Sequence, residues 1–309
     1  MTLRRRLPDS DQLLAARIRA SLLAGALGDA WGSAYEGRPG PIAAPFPERP
    51  RLSDDTWLTV ATCEAIVRSG GQVEPSTIAE RFRTWFEAGR LPGLGSSTLK
   101  ALRDLSAGAH WALAGARGEY AAGAGEAMRI APLAFLLDPA SVDDRVLARD
   151  VARITHHSDE AYAGALAVMT AVRVSASAGC VPESLISLVS SELPDTRVRD
   201  RLSEIGDSAE SPEAIANRFG ASGYVVEAVP LALLVAARER MSGLAAVLER
   251  AVSLGGDADT IASIAGEVVG ATGADVPQGL LERIPGIADV ESAVSQFAAQ
   301  IGHHSPGYQ

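Results

Sequence analysis

LGGDADTIASIAG, residues 254–266, predicts a glycine turn followed at once by a buried helix. Gly255 and Gly256 allow the backbone to turn where a Cβ would clash. Asp257 stands where the N-cap or first turn of the next helix is expected. Apolar residues then recur at the spacing of one helix face, so this helix should pack in the core.

Two carboxylates and a hydroxyl emerge together at the start of this predicted helix. They belong to Asp257, Asp259 and Thr260. Three oxygen donors at one helix start are an arrangement that binds hard cations. A simpler interpretation is that the two carboxylates cap a helix at a solvated turn. This segment alone leaves both interpretations open.

A second acidic helix start occurs at SDDT, residues 53–56. Ser53 is a good N-cap, and Asp54 and Asp55 in the first turn complement the helix dipole. Taken alone, this pattern indicates a cap. If the two acidic starts face each other, four aspartates converge and need neutralisation, which two divalent cations would provide. Oxygen ligation without cysteine favours Mg²⁺ or Mn²⁺ over Zn²⁺.

The composition and hydrophobic pattern predict a single all-α domain. The formal net charge of −10 argues against a nucleic-acid partner. Strand-like alternation is nearly absent, and we find no internal repeat and no linker. We therefore expect a multi-helix orthogonal bundle over residues 11–303, with a flexible N-terminal arm at 1–10 and a polar tail at 304–309. Asp29, in the small-residue segment 24–30, should have either a partner or a function.

Features of secreted or membrane proteins are weak in this chain. Residues 4–6 are three arginines and residues 20–24 are largely apolar, but charged residues between them interrupt a signal sequence. No apolar run looks long enough to span a bilayer. Cys63 and Cys180 each lie in apolar sequence, which does not favour a disulfide. We expect a cytoplasmic protein, a monomer, with no membrane partner.

Four segments, taken in order, resemble the ADP-ribosylglycohydrolase family. This family includes dinitrogenase reductase-activating glycohydrolase and the ADP-ribosyl-arginine and ADP-ribosyl-serine hydrolases. The segments are GALGDA through YEG (25–37), SDDT (53–56), GEAMRIAP (125–132) and GGDADT (255–260). The resemblance covers nearly the whole chain. It implies an all-helical fold, a site for two Mg²⁺ or Mn²⁺ ions, and hydrolysis of the glycosidic bond at the distal ribose of ADP-ribose.

Carried over position by position, the resemblance implies three sets of site residues. The metal ligands would be Ser53, Asp54, Asp55, Asp257, Asp259 and Thr260. The catalytic residues would be Asp54, Asp55, Glu36 and Asp257, with the acid and base roles left open. The ADP-ribose site would comprise Gly123, Ala124, Gly125, Met128, Arg129 and His156, together with Ser96 and Ser97 from a separate loop.

One position departs from the family pattern. The family has a Gly-Asn-Gly-x-x-Met-Arg loop, and Ala124 stands here in place of the Asn. A side-chain amide is therefore missing, so we expect altered affinity or specificity rather than loss of activity. We favour protein ADP-ribosyl-arginine as substrate. An immunity or antitoxin-type hydrolase and a non-catalytic ADP-ribose-binding or structural homologue are the alternatives, and retention of all six metal-ligand positions argues against the last.

Overall fold

Fourteen α-helices build the part of the chain that the computed structural model describes, residues 7–8 and 10–302. They are α1 (Asp11–Gly32), α2 (Asp54–Arg68), α3 (Pro75–Glu87), α4 (Ser96–Ser106), α5 (Val142–Arg153), α6 (Asp159–Ala178), α7 (Leu185–Ser190), α8 (Arg197–Gly206), α9 (Pro212–Phe219), α10 (Val225–Arg238), α11 (Leu244–Ser253), α12 (Ala258–Gly270), α13 (Gln278–Leu281) and α14 (Ile287–Gly302). The predicted all-α fold is confirmed.

Irregular and short elements are concentrated between α4 and α6. Three 3₁₀ helices occupy Glu119–Ala121, Ala127–Arg129 and Ala131–Phe135. Two strands of two residues each, β1 (Ala116–Arg117) and β2 (His156–His157), pair in parallel. This pairing fixes the segment of the two histidines just before α6 begins.

α1 and α12 make the most extensive helix contact among the described residues, because small residues line their facing sides. A Cβ on Gly28 would lie 2.3 Å from the carbonyl oxygen of Ala262, and a Cβ on Gly32 would lie 2.4 Å from that of Ala258. Only glycine lets the two backbones approach this closely. The contact brings Asp29, near the end of α1, beside the acidic start of α12.

α6 and α10 pack with α12 at the centre of the molecule. Nearly every residue of α10 is buried, as its apolar sequence predicts. By length and composition α6 could cross a bilayer, which corrects the expectation that no apolar run is long enough. In the fold, however, 78% of that stretch is buried, as in a core helix.

The predicted N-terminal arm and polar tail lie mostly outside the described residues. Residues 1–6, 9 and 303–309 are not described, so both boundaries stay predictions. Leu7, within the segment expected to form the arm, is partly buried against the hydrophobic core. Ser10 then caps α1 by accepting a hydrogen bond from the backbone N–H of Leu13 at 3.5 Å.

Candidate active site

A cleft of about 560 Å³ collects almost all of the residues that the sequence singled out. Its walls come from the segment after α1, the starts of α2, α4 and α12, the loop before the second 3₁₀ helix, strand β2 and the loop before α10. One part of the cleft is acidic. Its sequence-predicted residues are Glu36, Ser53, Asp54, Asp55, Asp257, Asp259 and Thr260.

Asp29 holds the start of α2 in place from α1. Its fully buried carboxylate accepts hydrogen bonds from the backbone N–H of Ser53 at 3.0 Å and of Thr56 at 3.3 Å, and from the Thr56 hydroxyl. Ser53 in turn accepts a hydrogen bond from the N–H of Asp55 at 3.2 Å. The first turn of α2 is therefore fixed, and the expected partner of Asp29 is identified.

The glycine pair before α12 fastens the segment that carries Glu36. Gly255 and Gly256 have φ values of 71° and 68°, a region that favours glycine. The N–H of Gly256 donates to the carbonyl of Arg38 at 2.8 Å, and the N–H of Gly37 donates to the carbonyl of Gly256 at 2.7 Å. These two bonds hold Glu36 next to the start of α12.

Three carboxylates from this junction form a compact group. One oxygen each from Glu36, Asp257 and Asp259 lie within 4.8 Å of one another. Asp259 is 4% exposed, whereas Glu36 is exposed to solvent at the cleft mouth. Asp54 and Asp55 approach from α2 and are 5% and 3% exposed. The starts of α2 and α12 therefore converge, as the sequence argument required.

Burial and mutual repulsion raise the pKa values of these carboxyl groups. Burial, followed by the charge of Asp29, raises the pKa of Asp54 to about 7. Burial and then the charge of Asp259 raise the pKa of Asp55 well above its usual range, and burial and then Asp257 do the same for Asp259. The cluster without a counter-charge therefore favours bound protons.

The donor set fits hard divalent cations. Oδ2 of Asp55 is buried and has no hydrogen-bond partner among the residues described. A buried carboxylate oxygen without a partner is costly, and a cation would satisfy it and favour the ionised form of its neighbours. Carboxylates and hydroxyls, without cysteine or histidine, are the ligands of Mg²⁺ and Mn²⁺ rather than Zn²⁺.

The other part of the cleft is lined by uncharged hydrogen-bond donors. α4 begins at Ser96 without a side-chain cap, and the cleft is lined by residues of this first turn. Its first backbone N–H groups therefore lack helix partners and can bind an anion. In the described part of the chain, no Lys or Arg lines the cleft. The sequence-predicted residues here are Ser96, Ser97, Gly123, Ala124, Gly125, Met128 and His156.

The loop at residues 123–125 lies directly on the donor-lined wall. A Cβ on Gly125 would come within 2.9 Å of Cε1 of His156 and 3.2 Å of Oγ1 of Thr98, so a side chain here would collide. The N–H of Ala124 donates to the carbonyl of Gly223 at 2.9 Å, which ties the loop to the segment before α10. Ala124 therefore presents only a methyl group where the family pattern has an amide.

Arg129 differs from the prediction that it binds ADP-ribose directly. It does not line the cleft, and its side chain is fully buried behind the loop. Its Nη2 donates to Oγ1 of Thr155 at 2.8 Å, and its guanidinium lies 4.9 Å from the ring centroid of Phe82. The 3₁₀ helix Ala127–Arg129 turns this side chain inward, which sequence spacing could not reveal.

Several cleft residues were missed by the sequence analysis. Tyr120, Ser222 and Gly223 line the cleft as well. Gly223 adjoins predicted residues in space rather than in a recognisable motif, whereas Thr98, which also lines the cleft, directly follows the predicted Ser96 and Ser97 in the substrate-side loop GSST (95–98). Tyr120 is 96% exposed, and an exposed aromatic side chain at a cleft rim is a signal only once the fold is known.

The fold and the cleft together define an all-α protein with an acidic, oxygen-lined cation site beside a groove of uncharged donors. The family model of the ADP-ribosylglycohydrolases matches residues 10–306. The chain belongs to the ADP-ribosylglycohydrolase family and is therefore a glycosyl hydrolase. The sequence-based assignment to this family is confirmed.

Similar proteins span most of the chain. A protein of Archaeoglobus fulgidus is 30% identical over 74% of this chain and 74% of its own length. YegU of Escherichia coli K12 is 29% identical over 82% of this chain and 87% of its own. ADP-ribosylhydrolase ARH3 of Danio rerio is 27% identical over 84% and 83%. A solved structure described as an ADP-ribosylglycohydrolase-related protein complex has a TM-score of 0.72 at 27% identity and covers 93% of this chain and 98% of its own.

Proposed function

We propose that this protein hydrolyses the glycosidic bond between ADP-ribose and an arginine side chain of a protein, and that two Mg²⁺ or Mn²⁺ ions assist it. The observation that carries the proposal is the polarity of the cleft. Buried carboxylates and hydroxyls line one part, and backbone N–H groups and hydroxyls without any basic side chain line the other. ADP-ribose has matching parts, a ribose with vicinal hydroxyls and a pyrophosphate.

The donor-lined part suits the pyrophosphate. The uncapped N-terminus of α4 and the backbone of Gly123 and Gly125 offer N–H groups, whereas the Ala124 N–H is already bound to Gly223, and a helix N-terminus favours an anion. The hydroxyls of Ser97 and Thr98 adjoin them. The volume of about 560 Å³ lies within the ordinary range for small-molecule sites.

The acidic part suits the distal ribose. The residues that would hold the two cations are Ser53, Asp54, Asp55, Asp257, Asp259 and Thr260, with Glu36 beside them. When bound, such cations supply Lewis acidity, orient vicinal hydroxyls and balance the four aspartate charges. The protein itself contributes rigid placement, since the start of α2 is fixed by Asp29 and the Glu36 segment by the glycine pair.

Carboxyl groups in the same place can move protons. In the cation-free site, burial and then the charge of Asp29 raise the pKa of Asp54 to about 7, so that its carboxyl oxygen can hold or release a proton near neutral pH. A bound cation lowers this pKa, since it favours the ionised form. Asp55, Asp257 and the exposed Glu36 are the other proton-transfer candidates. A glycosidic bond needs one group to activate water and one to protonate the leaving group.

The acidic cleft mouth favours a cationic leaving group. An arginine guanidinium carries charge, and carboxylates at the opening raise the local concentration of such a group. Glu36, the exposed carboxylate of the acidic group, would contribute to this attraction. A serine-linked substrate would gain nothing from that charge.

The test is release of ADP-ribose from peptides that are ADP-ribosylated on arginine or on serine, with Mg²⁺, Mn²⁺ or EDTA. We expect cation-dependent release from the arginine peptide. Asp257→Ala and Asp259→Ala should abolish it, whereas Asp275→Ala, at an exposed site outside the cleft, should not. Near-normal turnover in either cleft variant would contradict the site. Tight ADP-ribose binding without release from any peptide would indicate a non-catalytic homologue.

A further inference from the structure

A buried polar chain lies directly behind the donor-lined wall of the cleft. It runs from Arg129 to Thr155 and on to His156, which are 0%, 0% and 3% exposed. Nη2 of Arg129 lies 2.8 Å from Oγ1 of Thr155, and the same oxygen lies 2.8 Å from Nδ1 of His156. The Thr155 hydroxyl thus connects the guanidinium of Arg129 with the imidazole ring of His156.

The chemistry of the donors fixes where each hydrogen lies. A guanidinium has donors only, so the Thr155 oxygen must accept from Arg129. Burial lowers the pKa of Arg129 only to about 10, so it stays charged near neutral pH. The hydrogen of the Thr155 hydroxyl then has Nδ1 of His156 as its acceptor. No other acceptor for this hydroxyl occurs within the described ranges, and leaving a buried hydroxyl without one is costly.

The opposite edge of the His156 ring faces the cleft. Its Nε2 would lie 3.4 Å from a Cβ on Gly123 and 3.3 Å from one on Gly125. His156 lines the cleft, and Nε2 has no hydrogen-bond partner within the part of the chain that is described. With Nδ1 acting as acceptor, a neutral ring must carry its hydrogen on Nε2.

We propose that Arg129 and Thr155 are positioning residues that hold His156 as the neutral Nε2–H tautomer, so that its ring donates a hydrogen bond to an oxygen atom in the cleft. That this oxygen belongs to a phosphate or ribose of ADP-ribose rests on the proposed function. Arg129 thus serves the ligand site through two other side chains.

The electrostatic surroundings agree with a neutral ring. Burial, followed by the charges of Arg129 and then His157, lowers the pKa of His156 to about 3. Such a ring donates a fixed hydrogen bond and does not act as a general acid or base.

Glu126 explains why the Thr155 hydroxyl matters. Its fully buried carboxylate has no hydrogen-bond partner among the described residues, and Oε1 lies 4.0 Å from Nδ1 of His156. Burial raises the pKa of Glu126 well above its usual value of 4.5, and an oxygen of this carboxyl group is the competing acceptor for a hydrogen on Nδ1. Without the Thr155 hydroxyl, a small ring movement would pair Nδ1–H with Glu126 and leave Nε2 as an acceptor toward the cleft.

The test is the protonation state of the ring nitrogens, measured by two-dimensional ¹H–¹⁵N NMR of the full-length ¹⁵N-labelled protein without ligand. The chain has five histidines, so His156→Gln assigns the signal. We expect a non-protonated Nδ1 and a protonated Nε2 in the natural protein and in Thr155→Ser, which keeps the hydroxyl. Thr155→Val, of nearly the same shape, should populate the Nδ1–H form.

Binding of ADP-ribose by calorimetry is the second readout. Thr155→Val should weaken it roughly 5- to 20-fold, the loss of one hydrogen bond, and Thr155→Ser should not. A protonated Nδ1 in the natural protein, or an unchanged tautomer in folded Thr155→Val, overturns the inference. If Thr155→Val does not fold, the protonation of the His156 ring nitrogens in the natural protein and in Thr155→Ser still tests the inferred tautomer. If the tautomer is as expected but no ADP-ribosylated peptide is cleaved, the proposed function fails and this inference stands.

Discussion

Asp29 connects the two helices that carry the acidic site. Its carboxylate accepts hydrogen bonds from three donors of Ser53 and Thr56, all at the start of α2. A carboxylate is needed because every partner is a donor. Asparagine would place an NH₂ group against at least one of those donors and leave buried groups unsatisfied.

We therefore expect Asp29→Asn to weaken Mn²⁺ binding and to lower the free energy of unfolding by about 1–3 kcal/mol. Calorimetric titration with Mn²⁺ and urea denaturation measure the two effects. Asp275→Asn, at an exposed site away from the cleft, is the control. An unchanged Mn²⁺ affinity in folded Asp29→Asn would show that Asp29 does not position the acidic site.

Glu267 is a buried acid that the proposed chemistry does not use. It lies on α12, is 1% exposed and packs so closely that a Cβ on Gly25 would be 2.7 Å from its Cγ. Oε2 has no hydrogen-bond partner in the described chain, and burial raises the pKa of Glu267 well above its usual value of 4.5. The folded state therefore keeps a proton that the unfolded state loses as the pH rises.

Replacing this acid by an isosteric amide should remove the associated pH dependence. Above pH 4.5, the ordinary pKa of Glu267, the natural protein should lose stability relative to Glu267→Gln. The loss is up to about 1.4 kcal/mol per pH unit until the folded-state pKa is reached. Urea denaturation of both proteins at pH 4.5 and 7.5 measures the difference. Parallel pH profiles would mean that the Glu267 pKa is the same in both states.

At the scale of elements, the close packing of α1 on α12 sets the distance between Asp29 and Asp259. A Cβ on Gly28 would lie 2.3 Å from the carbonyl oxygen of Ala262, which is backbone and cannot rotate away. The clash of such a Cβ with this oxygen can then be relieved only if the two helices move apart.

Gly28→Ala should therefore destabilise the protein by about 1–3 kcal/mol, although alanine favours helices by up to about 1 kcal/mol. It should also weaken Mn²⁺ binding, because the helix starts move apart. Gly279→Ala on α13 is the matched control, since nothing lies within 4 Å of its Cβ. Chemical denaturation and Mn²⁺ titration measure both. Equal stabilities of the two variants would mean that this packing tolerates a methyl group.

Local rules predict the helix starts but not the elements between α4 and α6. Ser53 and Asp257 stand at the N-caps of α2 and α12, because capping depends on neighbours in sequence. The 3₁₀ helices and the pairing of β1 with β2 follow no hydrophobic period, so the inward turn of Arg129 could not be predicted. The partners of Asp29 lie more than 20 residues away and needed the fold.

At the scale of the whole molecule, the cleft is built where separate helices begin. The starts of α2, α4 and α12 all line it, and helix starts offer free N–H groups and favour acidic residues at the N-cap and in the first turn. One kind of local structure thus supplies a cation site and an anion site side by side. In the acidic half the carboxylates repel one another, and bound protons or cations reduce this repulsion.

This repulsion makes the stabilisation by cations depend on pH. Burial raises the pKa of Asp29 from its ordinary 3.8 to about 6. Burial, followed by the charge of Asp29, raises the pKa of Asp54 from 3.8 to about 7. The unfolded chain loses these protons first, so the cation-free protein should lose stability as the pH rises from about 4 to 7. Cations need ionised carboxylates and compete with those protons.

We therefore expect Mn²⁺ at a fixed concentration to raise the melting temperature of EDTA-treated protein more at pH 8 than at pH 5.5. Saturation at 100 times the Kd corresponds to about 2.7 kcal/mol. Scanning calorimetry measures the shift. Asp259→Ala should lose it, while Glu267→Gln, buried elsewhere on α12, should keep it. Equal shifts at both pH values would place Mn²⁺ away from these aspartates, because only ligands that titrate in this range make cation binding compete with protons.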